Sequence, residues 1–247
     1  MKLSVNLNKI ALLRNARGEN YPNIEYFANK AIALGVDGLT LHPRPDHRHA
    51  TSNDVIRLSK LSKEKGVEFN IEGNPFSKPK NDFLGFCELV DIIKPDQITL
   101  VPDSIDQITS DHGWSSGKHD DDLIIVINKL KEYSNDAPIS LFIDSIEGVE
   151  YAYEMGASLI EIHTGEFSKA IETKNIKAVD DIVEIVKIAS KLNLSVNAGH
   201  DLNLKNLSYL VDIGNINEVS IGHAIIVDSL HYGFEETIMK YLDIIRK

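Results

Sequence analysis

The stretch ALGVDGLTLH, at residues 33–42, has a layout that recurs twice more in the chain. EKGVEFNIE at residues 64–72 and EMGASLIEIH at residues 154–163 share its order of helix end, glycine, short turn and apolar run, and each closes on His or Glu. The layout predicts repeated units of a strand and a helix. A helix C-terminus commonly takes a left-handed residue, and here that place falls on Gly35, Gly66 and Gly156.

Five apolar stretches of the chain stop on an ionisable residue. Read as strands, they are LTLH, FNIE, LIEIH, VNAGH and VSIGH, which end at His42, Glu72, His163, His200 and His223. In a barrel of parallel strands the C-terminal ends surround one mouth, where barrel enzymes carry out their chemistry. The endings therefore indicate both a fold and the location of an active site.

Strand-like and helix-like runs alternate along the whole chain. The strands are predicted at residues 3–7, 38–42, 67–72, 97–101, 139–143, 158–163, 194–198 and 218–221. Amphipathic helices are predicted at residues 24–34, 53–65, 82–93, 120–133, 146–154, 176–192, 204–213 and 225–246. We expect an α/β fold with one domain over residues 1–247, a (β/α)8 TIM barrel. An open doubly wound sheet is the alternative, but its functional residues would gather at one switch point.

The composition limits the class of protein. The chain has 247 residues, of which 43% are hydrophobic and 26% charged, and about 250 residues is usual for one such barrel. A net charge of −11 argues against non-specific nucleic-acid binding, which needs a basic surface. The single cysteine, Cys87, cannot form an internal disulfide, and its apolar surroundings predict a buried thiol.

Targeting signals are not evident in the sequence. No apolar run approaches the ~20 residues of a membrane helix, and the N-terminal MKLSVNLNKI is too short and too polar for a signal peptide. We therefore expect a cytoplasmic, soluble protein. The longest irregular stretch, residues 102–118, follows the fourth strand on the side of the mouth, and is either a lid or a surface excursion.

Histidine and glutamate at the strand ends suit acid–base chemistry. The inward positions before Glu72 read as apolar, so its pKa is expected to be raised unless an arginine pairs with it. Glu161 lies two residues before His163 on the same face, one layer deeper in the barrel. It is placed to orient or support the chemistry electrostatically.

A metal site is disfavoured by the spacing. The first strand offers Asn6 and Asn8 where a His-x-His pair would be a strong signal, and neither a His-Glu-x-x-His motif nor a cysteine pair occurs. Lys9 follows that strand closely enough to reach the mouth, and forms a Schiff base only if it is desolvated or lies beside another cation. From this spacing we expect no metal.

Groups that bind anions follow several strands. Two basic clusters suggest two phosphates, carried either by two phosphorylated substrates or by one bisphosphate. Gly222 with His223 opens the last helix, where backbone amides attract phosphate. The loops after strands seven and eight are also a common phosphate site of barrels. The clusters comprise Arg14, Arg17 and Gly18 after strand one, and Arg44, Arg48 and His49 after strand two.

Seven motifs, in order, resemble the pyridoxine 5′-phosphate synthase family over nearly the whole chain. They are RNARG at 14–18, the run from His42 to His49, NIE ending at Glu72, SLFID ending at Asp144, IEIHTG at 160–165, VNAGH ending at His200 and IGHAII at 221–226. The resemblance implies a barrel with extra helices, assembled as a homo-octamer of dimers. It implies condensation of 1-deoxy-D-xylulose 5-phosphate with 3-amino-2-oxopropyl phosphate to pyridoxine 5′-phosphate, phosphate and water, without metal or organic cofactor.

The resemblance also assigns roles to individual residues. His42 and Glu72 would accept protons, His200 would donate one, and Glu161 would stabilise the transition state. The aminoketone phosphate would be bound by Asn6, Arg17, Gly222 and His223. The deoxyxylulose phosphate would be bound by Arg44, His49 and Thr109.

Three departures from the family pattern affect these positions. Asn8 and Lys9 stand where many members have Asp-His, and both would face the deoxyxylulose phosphate. Pro43 and Pro45 flank Arg44 and stiffen that loop. Asp201 stands where many members have glycine, so its carboxylate has to point away from any phosphate bound at that backbone.

Two other functions remain open from the sequence. One is another metal-free phosphosugar isomerase or aldolase. The other is a non-catalytic barrel that binds a phosphorylated metabolite, an alternative that the departures at Asn8 and Lys9 keep open. The presence of His42, Glu72 and His200 together argues against a pure binder, because binding alone needs no set of proton-transfer groups.

Overall fold

Eight short runs with alternating polar and apolar residues form one parallel sheet. A computed structural model describes residues 1–104, 107–117, 120–173 and 177–247. The sheet closes into a barrel in sequence order, with the first strand paired to the last. This confirms the predicted (β/α)8 fold, and each predicted strand is present to within one residue at either end. The strands are β1 Lys2–Asn6, β2 Gly38–Leu41, β3 Glu68–Gly73, β4 Gln97–Leu100, β5 Ile139–Ile143, β6 Leu159–His163, β7 Ser195–Gly199 and β8 Glu218–Ile221.

Helices surround the barrel and include the extra ones that the resemblance implied. Gly35, Gly66 and Gly156 have positive φ at or beside three helix ends, as predicted. In the described residues the helices are α1 Asn8–Asn15, α2 Ile24–Ala33, α3 Ser52–Lys65, α4 Phe86–Ile93, α5 Asp120–Ser134, α6 Glu147–Glu154, α7 Gly165–Thr173, α8 Lys177–Lys191, α9 Leu207–Ile213, α10 His223–Tyr232 and α11 Phe234–Ile245.

The helix predictions were wrong at four places. α1 and α7 were not predicted, because each follows its strand directly and reads as part of a strand-end motif. The single helix predicted at residues 225–246 is two helices, since Gly233 has φ +79° and ends α10. Helix α4 begins four residues later than predicted, after a bridge between Lys80 and Phe83. Residue 176, the predicted start of α8, lies outside the described residues.

The inside of the barrel is polar, whereas its outer face is apolar. Asn197 donates to Gln97 at 3.1 Å and Ser220 donates to Glu72 at 3.3 Å. Each bond joins strands that are not neighbours, so it crosses the interior. The prediction of apolar inward positions on β3 is therefore wrong. Since strand residues alternate between faces, Phe69 and its apolar neighbours pack against the helices, while the polar residues face inward.

Three glutamates lie in this interior, and burial makes ionisation of each unfavourable. Burial raises the pKa of Glu72 to about 7 and that of Glu218 to about 8. Burial, followed by repulsion from Glu72 and Glu218, raises the pKa of Glu161 well above its ordinary value. The Oε2 atom of Glu218, near the bottom of the barrel, has no hydrogen-bond partner among the described residues.

Two sequence expectations concern the surroundings of the barrel. Cys87 is buried, as expected, and its thiol donates to the carbonyl of Pro75 at 3.4 Å. Within the described ranges, the helices all fall short of the length and apolar character needed to cross a membrane.

We expect replacement of Glu218 by Gln to stabilise the protein more at pH 9 than at pH 5. The pKa of Glu218 is about 8 when folded, against an ordinary value of 4.5, so the folded state holds the proton more tightly. Wild-type stability therefore falls as the pH rises through this window. The amide cannot ionise, so the gain at pH 9 should be on the order of a few kcal/mol.

Urea unfolding at a fixed protein concentration measures this difference. Glu64→Gln is the control, because the Glu64 side chain is 58% exposed on α3, and its effect should be the same at both pH values. An equal effect of Glu218→Gln at pH 5 and pH 9 would contradict the expectation.

Candidate active site

Glu72 stands at the mouth of the barrel with two neutral hydrogen-bond donors. The amide of Asn6 donates to its Oε2 at 3.3 Å, and the hydroxyl of Ser220 donates to its Oε1 at 3.3 Å. Burial raises the pKa of Glu72, and the Ser220 hydroxyl offsets this only in part. The arginine pair considered from the sequence is not found among the described residues, and the carboxyl is placed to exchange a proton near neutral pH.

His42 lies between two carboxyl groups. Its Nδ1 is 3.8 Å from Oε2 of Glu72, and its Nε2 is 3.3 Å from Oδ2 of Asp103. The backbone N–H of His42 donates to the side chain of Asn8 at 3.0 Å. Asn8, which departs from the family pattern, therefore stabilises the chain at the end of β2. The pKa of His42 is lowered to about 4, chiefly by burial; Asp103 opposes the shift and Arg44 contributes to it. The ring is therefore neutral at neutral pH.

Arg44 and Asp103 form a buried ion pair beside this histidine. The Asp103 side chain also accepts from Ser110 at 3.1 Å. The sequence analysis missed Asp103, although the signal was the same as elsewhere: an ionisable residue close after a predicted strand. Asp103 falls within the irregular stretch at residues 102–118, two residues beyond the end of the strand predicted at 97–101.

His49 lies behind His42, with the two ring centroids 6.0 Å apart. Burial lowers the pKa of His49 to about 3, and the charges of His42, Arg44 and Lys9 act in the same direction. Lys9 is therefore close enough for its charge to be felt at His49. Of the residues that the resemblance assigns to the deoxyxylulose phosphate, Arg44 and His49 lie together on this side of the mouth, whereas Thr109 contacts His200.

The irregular stretch after β4 crosses the mouth. Arg44 and Arg48 donate to the carbonyl of Gln107 at 2.8 and 2.6 Å, and the hydroxyl of Thr109 lies 2.9 Å from Nε2 of His200. Farther along the stretch, the ring of Trp114 is buried and its Nε1–H donates to the carbonyl of Leu100. Residues 105, 106 and 118 of this stretch lie outside the described residues. The rest connects the loop after β2 with the end of β7, as a lid would.

His200 sits on a strained turn. Its φ is +81° and that of Asp201 is +56°, a conformation that costs non-glycine residues about 1–3 kcal/mol. Hydrogen bonds hold the turn: the hydroxyl of Thr164 donates to the carbonyl of His200, and Ser168 and Asn206 donate to that of Asp201 at 3.0 and 3.1 Å. Such strain, fixed by its surroundings, is typical of functional sites.

The Asp201 side chain turns back toward the histidine before it. Its Oδ2 lies 3.3 Å from Nδ1 of His200, and its side chain is half exposed. A hydrogen bond with His200 is the largest cause that lowers the pKa of Asp201, and the charges of His163 and His223 add to it. Asp201 is therefore an anion beside the residue predicted to donate a proton.

His163 packs against His200 with ring centroids 4.6 Å apart. Burial lowers its pKa to about 4, and the charge of His200 contributes. A side chain at residue 165 would collide with the ring, so Gly165 is needed where β6 turns into α7. His163 is one layer above Glu161, as the sequence parity predicted.

Glu161 is held below the mouth by close packing. A β-carbon at residue 199 would overlap its Oε1, which explains the glycine in VNAGH. Its Oε2 accepts from Thr99 at 3.4 Å. Together with its raised pKa, this makes Glu161 a neutral group near the floor of the site.

The residues predicted to bind the aminoketone phosphate are brought together only in part. A β-carbon at residue 222 would lie 3.0 Å from the carbonyl oxygen of Asn6, so Gly222 and Asn6 are in close contact. His223 begins α10 as predicted and is exposed. Arg17 is exposed just beyond α1, and no contact with the other predicted residues is seen in the described part of the chain. Arg14 is an ion-pair partner of Asp54 in α3, not a free anion ligand.

Metal ligands are not grouped in this site. Over the described residues, no three His, Cys, Asp or Glu side chains are placed to hold one ion. The expectation of metal-free chemistry stays a prediction, since it concerns the reaction and not the fold.

Comparison with known proteins agrees with the motifs. The family model described as pyridoxal phosphate biosynthesis protein PdxJ matches residues 3–247. Pyridoxine 5′-phosphate synthase of Xylella fastidiosa (strain M23) is 42% identical over 247 residues, which cover 99% of this chain and 94% of that protein. The protein of the same name from Christiangramia forsetii is 44% identical, with 99% of each chain covered.

Solved structures agree at the level of the fold. Thiamine phosphate pyrophosphorylase from Pyrococcus furiosus superposes with a TM-score of 0.63 and 13% identity, over 99% of this chain and 95% of that one. An identity this low supports the barrel alone. The sequence relatives confirm the resemblance that the motifs predicted, and the chain belongs to the PdxJ family of pyridoxal phosphate biosynthesis proteins.

Proposed function

We propose that the protein is a pyridoxine 5′-phosphate synthase. It condenses 1-deoxy-D-xylulose 5-phosphate with 3-amino-2-oxopropyl phosphate, and releases phosphate and water. The observation that carries the proposal is the pairing of Glu72 with His42 at the mouth of a barrel in this family. Both are buried, and opposite pKa shifts leave both uncharged between about pH 4 and 7.

The reaction calls for many proton transfers around one pocket. A C–N bond forms between the amine of one substrate and the ketone of the other, water and one phosphate leave, and a C–C bond closes the ring. Each positioned acid or base typically contributes ~10²–10⁴-fold, and holding two substrates face to face adds a proximity term. A purely binding barrel would gain nothing from such an arrangement.

Each proposed catalytic residue has a physical property that suits its role. Glu72 accepts and returns protons, because a carboxyl with a pKa of about 7 can both lose and gain a proton near neutral pH. His42 is the second acceptor, since its neutral ring keeps a free lone pair. His200 donates a proton and is positioned by Thr109 and Asp201. Glu161 stabilises the transition state from below.

The two phosphates bind on opposite sides of this set. Arg44, His49 and Thr109 hold the deoxyxylulose phosphate, with Asn8 and Lys9 beside them. The aminoketone phosphate is bound near Asp201 by a second group that combines an amide, a cation and the start of α10, namely Asn6, Arg17, Gly222 and His223. A helix N-terminus favours phosphate because its first N–H groups are unpaired.

The proposal includes a homo-octamer built from dimers. Support comes from an apolar surface on α1 and α10, which pack beside each other. Within α10 only Ile225 is buried, whereas Leu230 is 81% and Val227 40% exposed, and Leu12 and Leu13 of α1 are 40% and 50% exposed. Grouped exposed side chains of this kind mark interaction sites. A second copy of the chain is the proposed occupant.

The proposal also places the enzyme in the cytoplasm and assigns it no nucleic-acid or membrane partner. Both substrates carry phosphate groups, whose charges keep them from crossing a lipid bilayer unaided. The net charge of −11 supports the absence of a nucleic-acid partner.

Purified protein given both phosphorylated substrates should form pyridoxine 5′-phosphate and release phosphate in the presence of a chelator. Product absorbance and phosphate release are measured together, and each substrate alone is the control. If folded protein gives no product with or without added metal, the proposed function is wrong. Activity only after metal addition would overturn the metal-free part.

Glu72→Gln should lower kcat by at least ~10²-fold, because the amide cannot accept a proton. For the wild type, kcat/KM should rise with pH and level off above about 7, since Glu72 must be ionised to act as a base and its pKa lies near 7. The variant should lack this rise. Circular dichroism checks the fold, and Glu64→Gln is the matched exposed control. Retention of wild-type turnover would remove Glu72 from the mechanism.

Leu230→Glu should reduce the assembly without unfolding the chain, because it puts a charge into the proposed apolar contact. Light scattering after size exclusion should give eight times the 27.5 kDa of one chain for the wild type and a smaller mass for the variant. Lys240→Glu on α11, at a side chain that is 38% exposed, is the control. An unchanged mass for Leu230→Glu would exclude α10 as the contact.

A further inference from the structure

One carboxylate at the mouth has no part in the chemistry proposed above. Asp103 is 8% exposed, and a single oxygen of its side chain makes three contacts. Oδ2 pairs with the guanidinium of Arg44, lies 3.3 Å from Nε2 of His42 and accepts from Ser110 at 3.1 Å. It therefore touches both the proposed phosphate ligand and the proposed proton acceptor.

We propose that Asp103 is a positioning residue that couples phosphate binding at Arg44 to the proton-acceptor role of His42. The inference rests on the proposed function, because it takes the assignments of Arg44 and His42 from it. It adds a residue to the machinery and an order of events: the phosphate binds first, and His42 becomes an effective base as a result.

The first step is competition for Arg44. In the structure, one terminal nitrogen of the buried guanidinium pairs with Asp103 and the other donates to the carbonyl of Gln107 at 2.8 Å. Asp103 thus occupies the place that a substrate phosphate would take. A phosphate carries more negative charge than a carboxylate and is matched by the planar guanidinium, so it displaces Asp103 from this nitrogen.

The second step is the fate of the displaced carboxylate. The Asp103 backbone stays in place, because its carbonyl accepts from Asn74 at 2.7 Å and the residue follows Pro102. A small side-chain rotation then leaves its partners as Ser110 and Nε2 of His42. An anion at Nε2 favours the N–H on that nitrogen and leaves the Nδ1 lone pair facing Glu72.

The third step is the change in basicity of His42. Its pKa is lowered to about 4, chiefly by burial; Asp103 acts in the opposite direction, and the charges of Arg44 and Arg48 contribute to the lowering. Phosphate neutralises Arg44 and turns Asp103 toward the ring, and both changes raise the pKa. A base works best when its pKa lies near the working pH. The other charged or titratable groups near the ring are Asp46, His49 and Glu72, with Lys9 acting through His49.

A merely structural role for Asp103 predicts something different. If the carboxylate only neutralises the buried Arg44, its removal should disorder that side chain and weaken phosphate binding. KM for the deoxyxylulose phosphate would then rise while kcat stayed near that of the wild type. The coupling role predicts the reverse, because Asp103 competes with the phosphate and acts on His42.

The kinetic test compares Asp103→Asn, Asp103→Glu and Asp111→Asn. Asp111 lies in the same loop with its side chain 63% exposed, so its amide variant is the matched control and should stay within about twofold of the wild type. We expect Asp103→Asn to lower kcat by roughly 10–100-fold with KM unchanged or lower, and Asp103→Glu to recover much of kcat. A raised KM at unchanged kcat, or no effect on either, would overturn the inference.

If Asp103→Asn does not fold, a binding test on the wild type can still refute the inference. Sulfate is the probe, because its charge is fixed between pH 4 and 7. At pH 5, where Glu72 is already protonated, calorimetry in buffers of different ionisation enthalpy should detect proton uptake as sulfate binds the wild type. The uptake should be mostly lost in His42→Asn. Sulfate binding without proton uptake by the wild type would refute the coupling.

The two tests separate this inference from the function on which it rests. If the wild type makes no pyridoxine 5′-phosphate, the proposed function fails, whatever sulfate does. If the wild type is active but Asp103→Asn keeps its kcat, only the coupling fails.

Discussion

The site depends on one constraint, the alternation of side chains between the inner and outer faces of the closed barrel. Successive side chains of a strand point to opposite faces, so once the sheet closes every second residue faces the interior. In this chain most of those positions are polar, and three of the buried ones are glutamates that have no arginine partner among the described residues. Because no arginine offsets the cost of burying these carboxyl groups, burial raises the pKa of Glu72, Glu161 and Glu218. The apolar residues go to the other face, where the helices cover them.

The same burial has opposite effects on acids and on bases. It favours the protonated form of Glu72 and the neutral form of His42, so the pair carries no net charge. A neutral pair is less costly to bury than an ion pair, and it can take up a charge during a reaction. Asp103 and Arg44, which are both charged, sit next to it and neutralise each other. Substrate charge entering at Arg44 would disturb this balance.

The loops complete what the strands begin. The stretch after β4 reaches from Arg44 to His200 across the mouth, and so links residues that are far apart in the sequence. The turn at His200 and Asp201 holds two non-glycine residues at positive φ. Hydrogen bonds from Ser168 and Asn206 stabilise it, so the site stores local strain that is balanced by its surroundings.

The sequence by itself determined the barrel, its eight strands and the ring of ionisable residues at their ends, because strand period and glycine position are local signals. It also identified the family, since seven motifs keep their order. Only the tertiary structure decided that the polar face of β3 points into the barrel, that α10 ends at Gly233 and that Arg14 pairs with Asp54. It alone brought Asp103 to His42 and Arg44, because a contact between residues some 60 positions apart along the chain depends on strand register and loop path. The pKa values of groups inside a closed barrel depend on such contacts, which a local sequence pattern does not reveal.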